Sequence, residues 1–353
     1  MRRGRIIALD ALDGRPAAAL VVDGRLDDLL LDPPETDAAP RPESLYLGRV
    51  ERVAKPLGAA FLKLDQTGAM GWLRAPDART GETRLVQVSR WAEPGKAAPV
   101  SDRPVLKGAV ALLTPGASGA NLSRAIKGRE IRARLAALAE AALADAPPDL
   151  GLVLRTAAAE AEDADIRAEI AALRAAWEAI AADAAGGGAA RLIQPAPSAL
   201  DRALRDWRDP APDAVDDAPQ AFERLGVLDA VDALSHPRVP LPGGGWMSVE
   251  ATAAMVAVDV NTGENFAKDS AQRANLAACA ELPRQLRLRG LGGVVLMDLA
   301  PIRKGARQGV ETALRRAFAA DPVDTQIAGW TPLGHVEMLR KRERPPLTEL
   351  RHG

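Results

Sequence analysis

Asp259 and Asp298 are the residues whose types and spacing point to chemistry. Asp259 lies in MVAVDVNTG (Met255–Gly263) and Asp298 closes LGGVVLMD (Leu291–Asp298), so each follows a short apolar run. Such a run, closed by turn residues, reads as a buried strand. The Ala-, Leu- and Arg-rich segment between them, Ser270 to Arg289, reads as helix. Strand, helix, strand is a βαβ unit with parallel strands and a right-handed crossover. If the strands are neighbours, both aspartates stand at one carboxyl-end edge, where open α/β sheets place ligands. Two carboxylates brought together repel unless one is protonated or a cation lies between them. With no Cys or His close by in sequence to suggest zinc, a hard oxygen site fits magnesium, or manganese, completed by phosphate and water. The competing reading is that each aspartate caps a turn after a strand.

The elements that position this unit occupy a chain of 353 residues, enough for two or more domains. The formal net charge of −1 gives no hint of nucleic acid. Its distribution says more: residues 1–130 carry +4, 131–243 carry −8 and 244–353 carry +3. Mildly basic ends suit a phosphate-bearing partner. A lone cysteine, Cys279, excludes an internal disulfide and fits a reducing, cytoplasmic setting. It reads as a small buried apolar residue. The start, MRRGRIIALDALDG, has basic residues, but Asp10 and Asp13 break its apolar run, so no signal peptide is expected. No apolar run approaches a membrane span.

Residues 5–10 and 17–22 read as a hairpin or meander, and Pro33–Pro42 as a linker. From Ser44 to about Arg103, YLGRVERV, GAAFLKL, GAMGWLRA and TRLVQVSRW are short strands between turns, which suggests a small barrel. An OB-fold would offer Phe61 and Trp72 as base-stacking platforms, with Lys96 for the backbone; the alternative places both aromatics in the core. VLKGAVALLTPG reads as strand and turn, Asn121–Ala146 as helical in its second half, and GLVLRTAAAEA as a strand entering a helix that runs to about Ala185. Arg155 and Thr156 sit at that junction, where a guanidinium, a hydroxyl and helix N-terminal amides suit phosphate. A surface arginine beside an N-cap threonine is the plainer reading. AFERLGVLDAVDAL (Ala221–Leu234) reads as one short helix, PGGG as a turn, Ala306–Ala319 as helix and TQIAGW as strand.

VAVDVNTG, NLAACAELPRQLRLRGLGG and VVLMD, in that order, resemble the catalytic region of the ribonuclease E/G family. The resemblance implies a metal-dependent endoribonuclease: Asp259 and Asp298 hold magnesium and Asn261 supports them by hydrogen bonding. YLGRV, AAF and GW resemble the family's RNA-binding OB domain, which assigns Phe61, Trp72 and Lys96 to RNA, although PGKAAPVSD departs from the usual string. GLVLRTAA resembles the pocket that senses the 5′-monophosphate of RNA, which assigns it Arg155, Thr156 and, less directly, Arg124. GHVEMLRKRERPPL resembles the family's following helix, whose basic run Arg340–Arg344 meets phosphate or simply ends a solvated helix.

The fold so implied is a multidomain α/β protein. Residues 1–43 and 196–240 form a reduced RNase H-like part, 44–103 an OB-fold β-barrel, 104–195 an α/β 5′-sensor region, and 241–353 a DNase I-like α/β catalytic subdomain. The expected partner is single-stranded RNA, and the expected function RNA processing or decay with preference for 5′-monophosphorylated ends. Three departures qualify this. The acid that follows the family's second aspartate is lost in LAPIRKG. Pro283 falls inside the expected helix, which it should kink or break. With Cys279 alone, the family's thiolate zinc link cannot form, so no zinc is expected and a homo-oligomer would assemble without it. The rival reading is a non-catalytic RNA-binding paralogue of the same fold.

Overall fold

The computed structural model describes residues 4–93, 95–264, 267 and 269–352. The first three residues of the basic start, and Pro94 of PGKAAPVSD, lie outside these. Among the described residues no helix is long and apolar enough to cross a membrane.

The chain opens with the expected meander, β1 (Arg5–Leu12), β2 (Arg15–Val22) and β3 (Arg25–Leu31). The barrel follows, built from β4 (Leu45–Ala54), β5 (Ala59–Lys63), β6 (Met70–Leu73), β7 (Thr83–Val88) and β8 (Ala98–Ser101). Hydrogen bonding runs β4-β5-β6-β8-β7 and closes through β4–β7. Closure leaves no unpaired edge inside the ring. The β6–β8 contact is parallel and the other ring contacts are antiparallel. Alternation puts Ala60, Leu62 and Leu73 inside the barrel and Phe61, Lys63, Met70 and Trp72 on its outer face.

A third sheet contains β9 (Leu106–Lys107), β10 (Ala111–Pro115), β11 (Gly119–Leu122) and β12 (Leu150–Leu154), with β11 and β12 parallel. The helices α1 (Arg129–Leu143) and α2 (Asp163–Ala185) pack on it through Leu135, Leu138, Ile166 and Ile170. The strand β13 (Arg191–Gln194) returns to pair with β4. A capped helix, α3 (Ala199–Asp206), then lies on β2 and β3. Its cap is reciprocal: Ser198 accepts from the Asp201 amide while Asp201 accepts from Ser198.

Two features of 196–240 differ from the sequence expectation. β14 (Ala214–Asp216) joins β1 in parallel and completes a four-stranded sheet. The single helix expected at 221–234 is two, α4 (Ala221–Arg224) and α5 (Val227–Ala233), separated by Gly226 at φ +69°. A left-handed residue cannot continue an α-helix.

The last sheet has the order β15-β16-β17-β18-β20-β19, built from β15 (Arg238–Pro240), β16 (Trp246–Ala251), β17 (Val256–Asn261), β18 (Gly293–Asp298), β19 (Thr325–Trp330) and β20 (Val336–Arg340). The helices α6 (Ser270–Leu288) and α7 (Arg307–Ala319) bury Leu282, Leu286, Val310 and Leu314 against its inner face, and α8 (Leu347–His352) ends the described chain. β20 replaces the helix expected over GHVEMLRKRE; its burial alternates residue by residue, as a strand's does.

Pro283 does not break α6. Its missing backbone bond is offset by burial on two sides, because α6 is wedged between this sheet and β3 of the first. The arginines of RQLRLR stand on the β3 side. Arg284 donates to Leu26 O, Arg287 to Asp27 O, and Arg289 to the carbonyls of Leu234 and His236. The glycines after them make room for backbone. A Cβ at Gly290 would stand 2.1 Å from Pro345 O, and one at Gly292 2.6 Å from Lys341 O. That string is thus accounted for by packing. The basic run Arg340–Arg344 does not end a solvated helix, and of its cations only Lys341 and Arg342 stand exposed. Arg340 is 2% exposed and bound to Asp321, and Arg344 is bound to Asp28.

Candidate functional site

β17 and β18 are parallel neighbours with Asp259 directly opposite Asp298. In-register neighbours point to the same side. Val256, Val258, Val295 and Met297 face the helices, which leaves both aspartates on the sheet's open face. Neither is the turn cap of the plainer reading: Asp259 is an interior residue of β17 and Asp298 the last residue of β18. Asn261, two residues on and on the same face, donates from Nδ2 to Asp259 Oδ2 at 2.6 Å.

His335 was not expected from the sequence. Its Nδ1 lies 3.0 Å from Asp298 Oδ1, and its ring is 27% exposed against 58% for the aspartate. The hairpin joining β19 to β20 places it there, held by Thr331, whose amide donates to His335 O and whose hydroxyl accepts from His335 N. Ser248 stands opposite Asp259 on the other side. Arg307 stacks on Trp330 at 4.5 Å, and its Nη2 would lie 2.9 Å from a Cβ at Gly334, so a bare glycine beside His335 makes room for this cation.

The donor set fits a hard divalent cation, because two carboxylates with phosphate and water oxygens are the usual company of magnesium. Among the described residues no group of three or more His, Cys, Asp and Glu is arranged to hold a metal. Cys279 is buried in α6, and burial pushes its thiol up to about 12, far from thiolate chemistry.

Phe61 and Trp72 are opposite each other on β5 and β6. They stand half-buried on the outer face, outside the core that the alternative assigned them to. The cation beside them is Arg52 of β4, 4.4 Å over the Phe61 ring. Lys96 lies elsewhere, in the loop before β8, with Nζ 2.6 Å from Glu93, and lines a groove that Phe61 and Trp72 do not.

Arg155 and Thr156 follow β12, while Ser123 and Arg124 follow β11. Leu122 pairs with Leu154, and the hydroxyls of Ser123 and Thr156 meet at 3.1 Å. Two motifs far apart in sequence therefore share one edge. Thr156 begins a single 3-10 turn, Thr156–Ala159; α2 starts only at Asp163, so the long helix does not present its N-terminus here. A cleft of about 300 Å³ opens beside Arg155, Thr156, Ser123, Arg205, Asp206 and Arg208. Arg124 is exposed and does not line it. The Arg155 guanidinium donates to Gly108 O at 2.7 Å, and both its terminal nitrogens lie 3.5 Å from Asp206 Oδ1. Asp206 is gripped more tightly by Arg205, which also holds Glu43. Burial pushes the Asp206 carboxyl up, but the hydrogen bond and charge of Arg205, with Arg155 and Lys107, hold it below the ordinary range.

The model of the family described as "Ribonuclease E/G family" matches residues 105–216 and 211–343. Among curated proteins the chain is similar to ribonuclease E of Nostoc sp. (30% identity over 87% of this chain and 52% of that one) and of Synechocystis sp. (29%, 87% and 53%). It is also similar to ribonuclease G of Salmonella typhimurium (26%, 85% and 73%). The chain spans about half the length of these two ribonuclease E relatives.

Proposed function

Because the chain belongs to the ribonuclease E/G family, we propose that it is a metal-dependent endoribonuclease acting on single-stranded RNA in RNA processing or decay, with preference for a 5′-monophosphate. The observation that carries the reading is the in-register pair Asp259 and Asp298 on an open sheet face, each carboxylate held by a neighbour. Asp259 and Asp298 would hold magnesium, or manganese, which when bound supplies charge against the scissile phosphate and polarises water. Asn261 fixes one Asp259 oxygen and His335 engages one Asp298 oxygen, so the remaining oxygens are pre-aimed. The expected products carry 5′-phosphate and 3′-hydroxyl ends.

In this reading 44–103 is an OB-fold that stacks bases on Phe61 and Trp72, with Arg52 beside them and Lys96 further along the strand. The 104–195 region senses the 5′ end, 1–43 with 196–240 is a reduced RNase H-like support, and 241–353 is the DNase I-like catalytic part. The 5′-phosphate would dock on Arg155 and Thr156, taking over the loosely held face of the guanidinium that Asp206 now occupies. Arg124 would act only as an exposed cation at the rim.

Arg155→Ala tests the sensor. A charge-assisted contact to phosphate is worth about 1.5–3 kcal/mol, so the variant should cleave 5′-monophosphorylated RNA roughly 10- to 100-fold more slowly in kcat/KM. Its rate on 5′-hydroxyl RNA should be within about twofold of wild type; equal slowing of both substrates would remove the sensor. The nuclease reading itself is tested by internal cleavage that stops when metal is chelated.

A further inference from the structure

A groove of about 1060 Å³ separates the barrel from the catalytic sheet. Trp91 lies half-buried on its wall, in the loop joining β7 to β8, and also lines the adjoining cavity beside Arg202 and Arg344. We propose that Trp91 is a further stacking platform for single-stranded RNA in this groove and that Arg342 is a phosphate contact there, beside Lys96, which the reading above already assigns to RNA. The proposal rests on the RNA-cleaving reading given above.

Three observations carry it. In five-stranded Greek-key barrels, oligonucleotides meet the second and third strands and the loop between the fourth and fifth. Trp91 stands in that loop, and Phe61 and Trp72 on those strands. The groove is continuous with the Phe61–Trp72 face, because Met70 lines it and is two residues from Trp72 on the same side of β6. At its other end the groove reaches Met255, 38% exposed. Met255, Ala257 and Asp259 alternate along the open face, so at 3.3 Å per residue the groove ends about 13 Å from Asp259. The groove thus offers RNA leaving the barrel a route past Trp91 toward the carboxylates.

The charges across the groove fit an occupant that carries phosphate. Lys96 (69% exposed) comes from the barrel loop and Arg342 (49% exposed) from the segment after β20. Both are held by one carboxylate, Glu93, at 2.6 Å and 4.0 Å. A phosphate would take the place of Glu93 between two cations from different parts of the fold, while its base covers the Trp91 ring. Glu93 therefore opposes binding and Trp91 favours it.

The test is binding of a short 5′-hydroxyl oligouridine in EDTA, where no metal chemistry contributes. A stacked base is worth enough that Trp91→Ala should weaken binding roughly 5- to 150-fold, while Trp91→Phe keeps most of it. Glu93→Gln should tighten binding about two- to fivefold, an effect of opposite sign that misfolding does not imitate. An oligouridine bearing 5-iodouridine should crosslink to the peptide containing Trp91. Wild-type affinity in Trp91→Ala, or unchanged or weaker affinity in Glu93→Gln, would overturn the subsite while leaving the RNA reading standing. No binding by the wild type would overturn both.

Discussion

Asp259→Asn and Asp298→Asn are each expected to lower RNA cleavage by roughly 10³-fold, about 4 kcal/mol of transition-state stabilisation. Amide oxygens are neutral, and the pair as it stands presents two like charges side by side. Losing one charge should weaken the hold on a divalent cation and the field it places on phosphate. The fold should not notice. Asp298 is 58% exposed, and neither side chain belongs to the core. Surface substitutions of this kind fall within about 0.5 kcal/mol. Binding of Mn²⁺ by each variant, followed calorimetrically beside cleavage, separates the two effects. Cleavage and Mn²⁺ affinity both unchanged in the two variants would remove the metal site.

The second large effect is expected far from that site. Asp28 of β3 is 3% exposed and receives both Arg344 terminal nitrogens, at 2.5 and 3.0 Å. It also accepts from Trp207 Nε1 at 3.3 Å and faces Arg287 at 3.6 Å. Three elements thus converge on one carboxylate: α3, α6 and the segment after β20. Asp28→Ala takes from Arg344 the buried carboxylate that pairs with it and from Arg287 one of its three acidic neighbours, which should cost about 3–5 kcal/mol of stability. Asp145→Ala, which removes an 80% exposed partner of Arg174, should leave the denaturant midpoint close to that of wild type. Denaturant midpoints of the two variants make the comparison.

The same carboxylate sets an acid limit. Burial pushes the Asp28 carboxyl up, but Arg344 and Arg287 more than offset this and hold it below its ordinary value of 3.8. A depressed folded-state value means that its contribution is whole above about pH 4 and is lost as pH falls through the lower folded value. Acid sensitivity in that range should be blunted in Asp28→Asn relative to wild type.

The βαβ unit was legible because its signals were redundant: two apolar runs, an Ala-rich helix between them and fixed crossover geometry. The barrel was legible for a similar reason, through repeated short strands and turns. β20 was not. Val336, Glu337 and Met338 alternate in the ordinary way, but Leu339 is 54% exposed and Arg340 2% exposed, so the period-2 cue ends after three residues. β14 is three residues long and is held by backbone pairing with β1, which leaves no side-chain pattern to read. His335 meets Asp298 only because a hairpin and a strand register bring residues 37 apart together. Lys96 was singled out by its type and by a loose resemblance, and the loop places it at the groove, away from Phe61. Arg155 and Thr156 stood out in the sequence as a pair, but their engagement by Asp206 and Ser123 depends on elements that sequence order does not connect.

The decisive experiment is cleavage of an end-labelled, 5′-monophosphorylated single-stranded RNA, with magnesium and with EDTA, read on a sequencing gel beside Asp259→Asn. Internal cuts are expected with magnesium, none with EDTA and none in the variant. Tight RNA binding without cuts under magnesium or manganese would contradict the nuclease reading and make the chain an RNA-binding member of its family.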